Sequence, residues 1–181
     1  MTSIGAGRSC LLSLLVTAVA LSSIARSQSD ALQVEEVAAK YMGAFFHGDL
    51  SVAASLTHPE TLARIKASFL EELRTATSGT GEPVTPADYG LSLTMREVVE
   101  LEAEALYVAV LEADRSRDPV SAEAMRRATI EVIESREGPE GATIVRLRVV
   151  TPTSVGGSSA QEVGLLLRAS GSEWKVVGNA P

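Results

Sequence analysis

The chain has 181 residues, with 16 basic against 23 acidic side chains, two histidines, one cysteine and seven aromatics. A formal charge of −7 with so few aromatics excludes the clustered positive potential and stacking platforms that nucleic acid requires, and it opposes binding to anionic lipid headgroups. Hydrophobic content of 45% and charged content of 22% exclude a disordered or collagen-like chain, and the length fits a single domain.

Residues 1–25 read as a secretory signal peptide. Arg8 supplies the positive charge, Leu11 to Ala20 is apolar apart from Ser13 and Thr17, and Ser23 and Ala25 occupy the −3 and −1 positions of a small-residue cleavage site. A cut after Ser27 is the alternative. Cys10 precedes the apolar run instead of closing it, which does not fit an acylated N-terminus. The expectation is export to a periplasmic or extracellular location without stable membrane insertion, and residues 26–181 form the domain. Losing Arg8, the one charged residue before the cut, takes the charge from −7 to −8. Losing Cys10 leaves no cysteine, which excludes disulfides, zinc-thiolate sites and thiol nucleophiles from the processed chain.

From Asp30, a candidate N-cap, Val34, Val37, Ala38, Tyr41 and Phe45 recur at helical spacing, widened by Met42 and Phe46; His47-Gly48 closes this helix. Asp49 is placed to cap a short helix, Leu50 to Leu56. Thr57-His58-Pro59-Glu60 matches a capping box and opens a third helix with an apolar face of Leu62, Ile65, Phe69 and Leu73. Residues 77–90 are rich in Gly, Pro and Thr without hydrophobic periodicity and read as a mobile loop. Thr94-Met95-Arg96-Glu97 is a second capping box, predicting one long helix to about Asp114. Asp118-Pro119 ends it, and Ser121 to Arg127 adds a helical turn or two.

Beyond Ala128 the apolar period changes from near 3.6 to two. Strands are predicted over Thr129–Ser135, Ala142–Thr151, Gln161–Ala169 and Glu173–Gly178, and their short connections favour antiparallel pairing. The expected fold class is α+β: N-terminal helices packed on one face of a curved four-strand antiparallel sheet.

Two stretches carry a resemblance to a known family. AKYMGAFFHGDLSVAASLTHPE gives a first helix broken at Gly-Asp before a short helix and a proline step, and EVGLLLRASGSEWKVVG ends the chain in a strand hairpin. With these the chain resembles the nuclear transport factor 2-like (cystatin-like cone) superfamily, in particular exported members of uncharacterised function. The resemblance implies a cone-like pocket between the helices and the concave sheet face. It implies no single activity, because this superfamily hosts isomerases, dehydratases, binding modules and assembly domains.

Candidate chemistry is sparse. The strand region has no Asp or His, so Glu134 and Glu162, whose faces include Ile130 and Val132 or Gly164 and Leu166, are the strand carboxylates considered for catalysis. Tyr41, in the apolar stripe of the first helix, could donate a hydrogen bond into a pocket or serve simply as a core tyrosine. Tyr41, Phe45, Phe69, Leu165 and Leu167 are the candidate pocket lining. His47, Asp49 and His58 have metal-binding chemistry but stand at helix ends without spacing that places both imidazoles on one face. Glu97, Glu100 and Glu104 read as a solvated helix face. Arg146 and Arg148 alternate along the second strand, with Arg168 on the third, as a candidate homodimer or partner interface or an exposed sheet face. No nucleophile elbow, phosphate loop, zinc-protease or dinucleotide motif occurs.

The reading is thus an exported, non-enzymatic binding or accessory domain with no cofactor and no metal, taking a small apolar ligand or an envelope protein. The alternative is a cofactor-independent lyase, isomerase or hydrolase using Tyr41 and a strand glutamate.

Overall fold

The computed structural model describes residues 32–77, 81–153 and 156–180. The signal peptide expected over residues 1–25 lies outside them. Helix α1 covers residues 32–47. Its fully buried row runs Val34, Ala38, Met42, Phe46 in steps of four, while Val37, Tyr41 and Phe45 flank it half-buried. At Gly48 the chain takes φ 98°, a left-handed conformation natural to glycine, and the amides of Gly48 and Asp49 both donate to the Ala44 carbonyl. Helix α2 (Leu50–Ser55) follows, with Asp49 at the N-cap but without a side-chain cap bond, and buries Leu50, Ala53 and Ala54.

Helix α3 (Pro59–Thr75) begins one residue later than its apparent capping box. His58 is the N-cap, its ring accepting from the Glu60 amide, while the Thr57 hydroxyl donates back to the Ala53 carbonyl at 3.0 Å. Tertiary structure claims Thr57, which forms a parallel bridge with Val176.

The loop expected over residues 77–90 is structured in part. Pro86–Tyr89 form a 3-10 turn held by a capping box between Thr85 and Asp88, and Tyr89 packs edge-on against Phe69 with ring centroids 5.0 Å apart. The motif Thr-Pro-Ala-Asp is itself a capping signature with proline in the first turn.

The expected long fourth helix is two. Helix α4 (Met95–Glu100) starts on the Thr94/Glu97 capping box, and helix α5 (Ala103–Arg117) follows after Leu101 and Glu102 turn extended, with ψ of 139° and 149°. The Lys66 ammonium donates to the carbonyls of Val99 and Leu101, satisfying acceptors that this break exposes. Helix α6 (Pro119–Arg126) is capped by Asp118, which accepts from the Ser121 amide.

The strands β1 (Thr129–Glu137), β2 (Thr143–Pro152), β3 (Ser158–Ser170) and β4 (Glu173–Ala180) form one open antiparallel sheet in the order β1-β2-β3-β4. With the preceding helices this is the α+β layout expected. Val145, Leu147 and Val149 of β2 and Leu165 and Leu167 of β3 face α1, and none is more than 1% exposed. The free side of β4 is covered by the turn before α3: the Val176 amide donates to the Leu56 carbonyl and the His58 amide to the Val176 carbonyl, both at 2.8 Å.

Among the described residues two apolar cores form. The first joins α1 to the inner sheet face. The second joins Phe69 and Leu73 of α3 to Leu91, Val98 and Leu106. Among the described residues no helix is long and apolar enough to cross a membrane.

Candidate functional site

The proposed pocket residues divide between these cores. Leu165 and Leu167 lie in the α1–sheet core, with Tyr41 and Phe45 packed against it, whereas Phe69 belongs to the α3–α5 core. Helix α5, which starts after the break at Leu101-Glu102, packs along α3, and Phe69 lies between them with Leu106. Tyr41 and Phe45 stack with centroids 6.4 Å apart, and Arg115 stands over Phe45, 5.7 Å from the ring centroid, while donating to the carbonyls of Phe45 and Phe46.

Tyr41 does not meet a strand glutamate. Its hydroxyl lies 3.2 Å from that of Tyr107 on α5. Burial first, then the neighbouring Tyr41, pushes the Tyr107 phenol well above its ordinary ionisation range, while a Thr57 hydroxyl opposes the shift. Tyr107, apolar in its sequence context, carried no distinguishing spacing; a second tyrosine within an apolar helix was its one available signal.

Glu134 and Glu162 sit on the outer face of the sheet, away from α1. A β-bulge between Val132 and Glu134 reverses the alternation of β1, so Glu134 pairs with Arg146 instead of joining Ile130 and Val132. Glu162 has the parity opposite to the inward Leu165 and Leu167 and lies across from Arg148. There the charges cancel locally. Arg146 bonds Glu134 at 2.9 Å and Glu162 at 2.5 Å, and Arg148 reaches Glu162 at 3.3 Å and Glu131 at 3.9 Å. The hydrogen bonds from Arg146, then from Arg148, hold the Glu162 carboxyl below its usual range. Arg168 pairs with Glu140 of the β1–β2 turn at 2.9 Å. That turn lies over the same face: a Cβ at Gly138 would come within 3.1 Å of Ile144 and 3.2 Å of Leu166.

The two histidines also have structural partners. His47 bonds the Ala128 carbonyl at 3.1 Å, tying the end of α1 to the start of the sheet, and His58 caps α3.

What the structure does bring together is a cavity of about 150 Å³ between α3 and α5. Phe69, Leu106, Tyr107, Val110 and Leu111 line it, with Ile65, 39% exposed, open to solvent. Lys66 contributes its half-buried side chain to the rim while its ammonium is held by the Val99 and Leu101 carbonyls. An apolar pocket of this size accommodates a single small ring. It differs from the pocket expected under the sheet, sharing only Phe69 with it.

Comparison with protein-family models, with curated proteins and with solved structures found no match for this chain.

Proposed function

We propose that this chain is an exported, non-enzymatic binding domain that takes a small apolar molecule between α3 and α5. The apolar pocket beside Phe69 and Tyr107, open at Ile65, is the observation that carries this reading. Its lining has the chemistry of a ligand site, with apolar walls and one charged side chain, at a size suited to a very small ligand. The distribution of polar groups supports binding over catalysis. The Tyr41 hydroxyl is engaged with Tyr107, and Glu134 and Glu162 are engaged with arginines across the sheet. No strand carboxylate therefore stands within reach of Tyr41 to act with it as an acid–base pair. Export follows from the signal-like residues 1–25, and the helices-then-meander order supports a domain of the nuclear transport factor 2-like kind. Self-association through the outer sheet face draws no support from arginines already partnered within the chain.

The test is a titration of the wild-type protein with toluene followed by methyl resonances. Saturable shifts at Ile65, Leu106, Val110 and Leu111 are expected, and Ala103→Phe, which fills the cavity from the start of α5, should abolish them. Shifts absent in the wild type, or equal in both proteins, would sink the reading.

A further inference from the structure

The cavity lining includes a cation, Lys66, that pairs with no carboxylate among the described residues. Lys66 lies on α3 one turn before Leu70 and beside Phe69, so its stem runs along the cavity wall. Its ammonium is fixed by two backbone carbonyls, Val99 at 2.9 Å and Leu101. An ammonium has three donors, so one N–H is left over. Among the described residues Lys66 takes part in no ion pair, whereas Arg96 on the adjoining α4 pairs with Glu100. The carbonyls hold the ammonium in place without cancelling its unit charge.

We infer that the site selects a small monocarboxylate: an acid whose single ring or branched chain fills the space among Phe69, Leu106, Val110 and Leu111, and whose carboxylate takes the third N–H of Lys66. This rests on the apolar-cavity reading above and adds the charge of the ligand to it. Three features of the site argue for an anion in particular. The cation is positioned before the ligand arrives, so little side-chain entropy is lost on pairing. It is half-buried, where a charge-assisted hydrogen bond is weakened less by water than at a fully exposed lysine. An amine would place like charge beside Lys66, and a plain hydrocarbon would leave the donor to solvent. The cavity of about 150 Å³ limits the apolar part to one ring or a short branched chain.

Benzoate, benzamide and benzylammonium share the ring and differ in charge, so their titration against the wild-type chain at pH 7 tests the inference. Benzoate should bind about tenfold more tightly than benzamide, and benzylammonium more weakly than either. Lys66→Met keeps the apolar stem and should remove the benzoate preference, so that benzoate binds no more tightly than benzamide. Lys66→Arg, which retains donors for the carbonyls and for a carboxylate, should keep the preference, and thermal melts confirm that both variants fold. Equal affinity for benzoate and benzamide in the wild type, or a preference surviving in Lys66→Met, overturns the carboxylate inference and leaves the apolar site standing. If toluene, benzamide and benzoate all fail to bind, the apolar site falls and the inference falls with it.

Discussion

The hydroxyl groups of Tyr41 and Tyr107, 66 residues apart in the chain, lie 3.2 Å from each other where α1 crosses α5. This contact joins the sheet-backed core, against which Tyr41 packs, to Tyr107, which also lines the α3–α5 cavity. A part-buried hydroxyl pair contributes about 1 kcal/mol, and removing one partner leaves the other unsatisfied. Tyr41→Phe and Tyr107→Phe should therefore each cost about 1 kcal/mol, and the double variant distinctly less than the sum. Urea unfolding of all four proteins measures this. Strict additivity would mean that the two hydroxyls do not interact.

The same pair predicts an alkaline limit. Burial raises the Tyr107 phenol in the folded chain, whereas the unfolded chain ionises near pH 10. The folded state then holds a proton that the unfolded state releases. This contribution to stability is complete below about pH 10 and is lost progressively as pH rises further. Tyr107→Phe should flatten the fall in urea midpoint above pH 10. An unchanged slope would place the alkaline sensitivity elsewhere.

At the acid end the sign reverses. The Thr85 amide and hydroxyl hold Asp88 below its ordinary range, those of Thr94 do the same for Glu97, and Ser121 does so for Asp118. Their stabilising effect is present above the ordinary carboxylate range near pH 4 and lost as pH falls through the lowered values. Thr94→Ala removes the hydroxyl that caps α4 and donates to Glu97, leaving the backbone amide's hydrogen bond to Glu97 in place, and should cost about 1 kcal/mol at pH 7 through the lost cap. The cost should shrink at pH 3, where Glu97 is protonated. A cost that stays constant between these pH values would show that the box does not act through the ionised carboxylate.

Glu140 adopts φ 54° and ψ 36°, the left-handed region in which a side chain other than Asn or Asp is strained. Its pairing with Arg168 is solvent-exposed and contributes little against that strain. Glu140→Asn should stabilise the domain by about 0.5 kcal/mol, read as a raised melting temperature. A lower melting temperature would mean that the Arg168 contact outweighs the backbone cost.

Leu147 is fully buried at the centre of β2, between Val132 on β1 and Val163 on β3. Leu147→Ala removes wall from the α1–sheet core at a site enclosed on both sides, and should cost about 2–5 kcal/mol in chemical unfolding. A cost under about 1 kcal/mol would show that α1 settles into the gap.

The amino-acid order alone determined what depends on neighbours a few positions away. A period of two after Ala128 made four strands, short Gly-rich links made them consecutive and antiparallel, and Thr94 with Glu97 set the start of α4. Contacts between distant segments decided the rest. The bulge after Val132 turned Glu134 outward, and pairing with Val176 drew Thr57 out of its apparent cap. The carbonyls at Leu101 and Val99 met Lys66, a partner 33 to 35 residues earlier, where the helix broke. Local periodicity reports which faces are apolar, but not which apolar face meets which. That choice placed Phe69 beside α5 instead of under the sheet, and with it the cavity.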